Sequence, residues 1–116
     1  MGTKFDHIET HVKEINRYCD FLVAIFEGGT YEKISDSGTS MYLSPDGIHI
    51  EVKKTKLDQL PSSIGFCNPC LRRPDAKAFI SRLGLTIDKE LSSSEGPVYF
   101  FTDHEGIQWH MKDRRE

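Results

Sequence analysis

The chain has 116 residues, 37% hydrophobic and 28% charged, which is the size and balance of one globular domain able to bury a core without disulfides or a structural metal. Its net charge of −3, with basic residues adjacent at Arg72-Arg73 and Arg114-Arg115, argues against nucleic acid as a partner. No apolar run approaches the ~20 residues of a membrane span, and the segment from Met1 to His7 lacks the apolar stretch of a secretory signal, so no membrane partner is expected. The expected compartment is the cytoplasm, where Cys19, Cys67 and Cys70 would be reduced.

Phe5 to Val12 reads as a first strand, with His7, Glu9 and His11 on one face and Ile8 and Val12 on the other. From Glu14 to Glu27, Ile15, Tyr18, Cys19, Leu22, Ile25 and Phe26 recur at helical spacing. Gly28-Gly29 closes this helix, since glycine suits the left-handed position past a helix end. Three short strands follow, at 31–34, 39–43 and 48–52, separated by the turn signals Asp36-Ser37-Gly38 and Ser44-Pro45-Asp46-Gly47. Lys53 to Ser62 is polar, contains Pro61 and reads as a linker.

The pattern then recurs. Ile64 to Asn68 reads as a strand, with Arg72-Arg73 in a solvated loop after it. Pro74 to Leu83 reads as a helix with proline in its first turn and Gly84 beyond its end. Leu85 to Glu90 is a strand and 92–97 a loop; 98–102 and 107–111 are strands joined by Asp103-His104-Glu105-Gly106. Ser44-Pro45-Asp46-Gly47-Ile48-His49-Ile50-Glu51 matches Asp103-His104-Glu105-Gly106-Ile107-Gln108-Trp109-His110 at a constant offset. In each copy the fourth residue after the glycine is a metal-ligand type. Two copies are too few for a solenoid, so a paired-module domain is expected.

Asp6-His7-Ile8 opening the first strand, together with the two glycine turns before the last strand of each half, resembles the vicinal-oxygen-chelate superfamily of glyoxalases, bleomycin-resistance proteins and extradiol dioxygenases. The resemblance runs from Phe5 to Lys112 and implies an α+β fold. Two βαβββ modules, about 4–53 and about 63–112, would form a curled mixed sheet around a cleft within one domain spanning 1–116. It further implies a homodimer and a small-molecule ligand. Metal-using members draw ligands from the first and last strand of each module. Carried over by position, these are His7, Glu51 and His110, with Ser63 standing where a histidine is usual.

Two imidazoles and a carboxylate suit Zn, Ni, Fe, Mn or Co and leave coordination positions open. Such a metal would act as a Lewis acid on a small oxygen-rich substrate, in isomerase, lyase or dioxygenase chemistry of the glyoxalase type. Glu51 and Glu9 are the candidate catalytic carboxylates, with Glu9 or His49 as a partner of the ligands or a general base. His49, Ser63, Cys67, Phe101 and Gln108 are candidate substrate contacts: His49 shares strand parity with Glu51, Gln108 with His110, and Cys67 with Ser63, while Phe101 belongs to an aromatic group suited to a pocket wall. Cys67-Asn68-Pro69-Cys70 is a lone Cys-x-x-Cys, too little for a zinc site and not at a helix start. The alternative reading, marked by Ser63, is a metal-free binding or sequestering protein of the bleomycin-resistance type.

Overall fold

Alternating polar and apolar residues make a strand with two unlike faces, and an amphipathic helix is the element that covers the apolar one. The computed structural model, which describes residues 2, 5–55, 68–94 and 96–113, shows this arrangement twice. The chain divides after residue 66 into two units. In the first, β1 (Ile8–Val12), α1 (Ile15–Phe26), β2 (Thr30–Lys33), β3 (Ser40–Leu43) and β4 (His49–Lys54) follow in order. The sheet order is β1-β4-β3-β2. β1 runs parallel to β4, with Glu9 opposite Glu51, and the other pairs are antiparallel.

α1 contacts β3 and β4. It buries Tyr18, Cys19, Leu22 and Ile25 on the side of Val12, Tyr42, Ile50 and Val52, all 3% exposed or less. The helix ends on Glu27 itself in the left-handed region (φ 56), one residue before the glycines expected to do this. Gly29, at φ 94, is where glycine is compulsory. A Cβ there would lie 2.5 Å from both the Leu43 carbonyl and the Tyr42 hydroxyl, because Tyr42 reaches under the turn to donate to the Gly28 carbonyl at 2.7 Å.

The second unit contains β5 (Cys70–Arg73), α2 (Ala76–Arg82), β6 (Ile87–Ser93), β7 (Gly96–Thr102) and β8 (Gln108–Asp113). Its sheet order, β5-β8-β7-β6, repeats that of the first, with β5 parallel to β8. Each unit is thus a βαβββ module of α+β type. Ala76, Phe79 and Ile80 of α2 are buried, as are Tyr99, Phe101, Trp109 and Met111. Among the described residues no helix is long and apolar enough to cross a membrane.

The repeated turns fold alike. Ser44 N donates to the Ile48 carbonyl at 2.9 Å, and Asp103 N to the Ile107 carbonyl at 2.9 Å. Ser44 Oγ accepts from Ile48 N at 2.8 Å, and Asp103 Oδ1 from Ile107 N at 3.0 Å.

Several boundaries differ from the sequence reading. Of the strand expected over 64–68, residues up to 67 lie outside the described part, and Asn68 is not in a strand; β5 starts at Cys70. Arg72 and Arg73 therefore belong to a strand rather than a loop. The reason is local: Arg73 Nε donates to Asp75 Oδ1 at 2.7 Å, and its guanidinium lies 3.7 Å from the Phe79 ring centre, so its charge and stem both have partners. Pro74 falls in the turn before α2, with Asp75 as the N-cap position. The loop expected at 92–97 is mostly ladder, Ser92 pairing with Pro97 and Ser93 with Gly96. The antiparallel register of β6 and β7 continues down to the tight turn despite the polar sequence.

Candidate functional site

In the first unit, the face of the sheet opposite α1 carries Glu9, His11, Glu51 and Lys53, all half-buried. These are the odd positions of β1 and β4; the even ones, Thr10, Val12, Ile50 and Val52, are buried. His7 lies just before β1. Its Nε2 is 3.6 Å from Glu51 Oε1 and its Nδ1 is 2.7 Å from Asp6 Oδ2. The hydrogen bond to Asp6, reinforced by the Glu51 carboxylate, raises the His7 pKa above 6.5 against a smaller opposing effect of burial.

The row continues inward. Glu9 Oε2 sits 2.6 Å from His11 Nε2, and Glu9 Oε1 is 3.3 Å from Lys53 Nζ. Lys53 Nζ is also 3.7 Å from Glu51 Oε1, so the ammonium bridges the two carboxylates. The hydrogen bond from His11, then Lys53, holds the Glu9 carboxyl below its usual range. His11 Nδ1 is buried without a hydrogen-bond partner. His49 shares the parity of Glu51 and is exposed.

In the second unit one register row crosses the sheet: Cys70 opposite His110, His110 opposite Phe100, and Phe100 opposite Lys89. The His110 and Phe100 rings stack, 5.0 Å between centres and 15° between planes. The Lys89 ammonium lies 4.8 Å from the centre of the Phe100 ring. His110 Nδ1 is 3.0 Å from Asn68 Oδ1. Burial, then the charge of Lys112, lowers the His110 pKa from its ordinary 6.5. Gln108 shares this face and is exposed.

No family model and no curated protein matches the sequence. Solved structures do match the fold. A mutant of the fosfomycin resistance protein FosX from Listeria monocytogenes, complexed with Mn(II) and 1S,2S-dihydroxypropylphosphonic acid, superposes with a TM-score of 0.72. It is 20% identical and covers 99% of this chain and 93% of its own. FosX from Mesorhizobium loti gives 0.65 at 18% identity, covering 99% and 94%. A glyoxylase/bleomycin resistance protein/dioxygenase domain from Frankia sp. gives 0.71 at 12% identity, covering 99% and 100%. The chain has the vicinal-oxygen-chelate fold.

Within this vicinal-oxygen-chelate fold, two of the three residues expected as metal ligands, His7 and Glu51, are brought together. Donors bound to one ion at about 2.0–2.2 Å lie roughly 3 Å apart, so their 3.6 Å separation suits a shared cation after a small adjustment. No group of three or more His, Cys, Asp or Glu side chains is gathered for a metal among the described residues. Ser63 and Cys67 lie outside the described residues.

Phe101 is fully buried on the helix side, where it stacks on Trp109. The aromatic beside His110 is Phe100, which the register of β7 against β8 selects. Lys53, two residues past Glu51, was legible by the same parity. Asn68 was hidden because the sequence reading made it the end of a strand, whereas β5 starts at Cys70.

Proposed function

We propose that this protein binds a divalent metal ion through His7 and Glu51 and acts on a small oxygen-rich molecule. The observation that carries the reading is the His7–Glu51 donor pair on a polar sheet face. The presence of Mn(II) in a FosX structure of the same fold supports it. Bound there, the metal would supply Lewis-acid stabilisation of negative charge on a substrate oxygen.

The chain's own residues have separable tasks. Asp6 accepts from His7 Nδ1–H, which turns Nε2 toward Glu51. Glu9 holds His11 and Lys53, and its lowered pKa makes it a weak base near neutral pH. Lys53 can pair with an anionic substrate oxygen once a metal takes over the charge of Glu51. His49, exposed on the same strand as Glu51, is available to line the ligand.

A second reading is favoured by Lys53 itself. Its ammonium pairs with both Glu9 and Glu51, offsetting part of their charge, as a metal-free small-molecule binder of the bleomycin-resistance type would need.

Calorimetric titration of chelator-free, untagged protein with Mn(II), Ni(II), Co(II) and Zn(II) separates the two. The metal reading expects one site per chain, weakened at least about tenfold by each of His7→Ala and Glu51→Gln. Lys53→Met should tighten it. No saturable binding of any of the four ions would overturn the metal reading in favour of the metal-free binder.

A further inference from the structure

The register of the first strand against the last in each unit sets counterparts between the two units. Glu9 lies opposite Glu51 in β1 and β4, and Cys70 lies opposite His110 in β5 and β8. His7 stands two residues before Glu9, and Asn68 two before Cys70. Asn68 is therefore the counterpart of His7, and each touches the matching residue of its last strand: His7 touches Glu51, and Asn68 touches His110. Where the first unit presents two donors of metal-binding type, the second presents one imidazole and a carboxamide.

We propose that Asn68 is a positioning residue, which fixes His110 in the tautomer with its proton on Nδ1 and so leaves the Nε2 lone pair free to engage a ligand. Stacking on Phe100 sets the plane of the imidazole. It does not set which ring nitrogen carries the proton. Asn68 Oδ1, 3.0 Å from Nδ1, does so, because a carboxamide oxygen only accepts. An accepting partner on one ring nitrogen is how proteins generally choose the nitrogen that faces a ligand.

The backbone supports the placement. Asn68 adopts φ 51, a left-handed conformation that asparagine tolerates better than most residues. It stands directly before Pro69, whose carbonyl accepts from His110 N at 2.9 Å. Backbone and side chain of this short segment thus both bind His110. The tautomer assignment rests on the fold of the second unit alone; that the free Nε2 meets a small-molecule ligand rests on the proposed function above.

The experiment is long-range ¹H–¹⁵N correlation of the histidine rings at about pH 8, above the ordinary imidazole range, with His110 identified by His110→Gln. In the wild type, Nδ1 of His110 should resonate as the protonated nitrogen and Nε2 as the bare one. Asn68→Gly removes the carboxamide without strain at this φ. It should shift the tautomer ratio toward Nε2–H by roughly three- to tenfold, the worth of one hydrogen bond. Asn68→Asp, which keeps an acceptor, should retain the wild-type tautomer. A wild-type ring protonated on Nε2, or a ratio unchanged in Asn68→Gly, overturns the proposal.

Titration of the same proteins with Mn(II), Ni(II), Co(II) and Zn(II) reads the other question separately. Absence of metal binding by the wild type, with the Asn68→Gly tautomer shift intact, removes the metal reading and leaves this one standing.

Discussion

Replacing Asp103 by alanine should cost the second unit about 3–5 kcal/mol, since one buried carboxylate holds three donors. Asp103 is 5% exposed. Its Oδ1 accepts from Glu105 N at 2.9 Å and Ile107 N at 3.0 Å, and its Oδ2 accepts from Trp109 Nε1 at 2.9 Å. Trp109 is fully buried, so its indole N–H loses its acceptor where water cannot replace it. An orphaned buried donor of this kind costs about 1–3 kcal/mol, and the two turn amides add about 1 kcal/mol each.

Asp103→Asn keeps an oxygen for the turn amides but aims an N–H₂ at the indole N–H, so it should lose about 1–2 kcal/mol. In a Trp109→Phe background the Asp103→Asn cost should shrink, giving a coupling energy of about 1 kcal/mol or more. The assay is urea unfolding. Trp109 is the sole tryptophan, so its fluorescence reports the second unit, and far-UV circular dichroism serves the variants that lack it. An Asp103→Ala protein within 1 kcal/mol of wild type, or additive double mutants, would refute the argument that this carboxylate ties the turn to β8.

Three further outcomes follow from the geometry. Gly29→Ala should destabilise the first unit by more than about 2 kcal/mol in urea unfolding followed by far-UV circular dichroism. The added Cβ meets backbone at 2.5 Å and the residue sits at φ 94. Cys19 is buried, which pushes its thiol pKa up to about 11. A variant keeping only Cys19 should therefore resist Ellman's reagent at pH 8 until denatured, while one keeping only the exposed Cys70 should react at once. The Arg73 hydrogen bond holds the Asp75 carboxyl below its ordinary 3.8. A depressed carboxyl pKa stabilises fully above the unfolded value, and that contribution is lost as pH falls through the folded value. Arg73→Gln should hence raise the Asp75 pKa by NMR titration and reduce stability at pH 6 more than at pH 2.

Element types and order were legible in the sequence because they depend on local spacing. The helical recurrence of Tyr18, Cys19, Leu22 and Ile25 was enough to identify the buried stripe of α1. The glycine turns repeated in sequence fold with the same hydrogen bonds, so the two-module organisation was readable from one chain. Strand parity likewise assigned Glu9, His11, Glu51 and His110 to faces away from the helices.

Tertiary structure decided what parity cannot. Parity fixes a face, whereas register fixes the neighbour. Only the pairing of Phe100 with His110 selects Phe100 over the adjacent Phe101, which the same fold sends into the core against Trp109. Only the position of β5 shows that Asn68 stands opposite the role of His7, since an Arg-rich strand resembles a loop until Phe79 and Asp75 give its charges a place. The bridging of Glu9 and Glu51 by Lys53 is of the same kind. It arises from two strands distant in sequence lying side by side in parallel, a juxtaposition that no local pattern encodes.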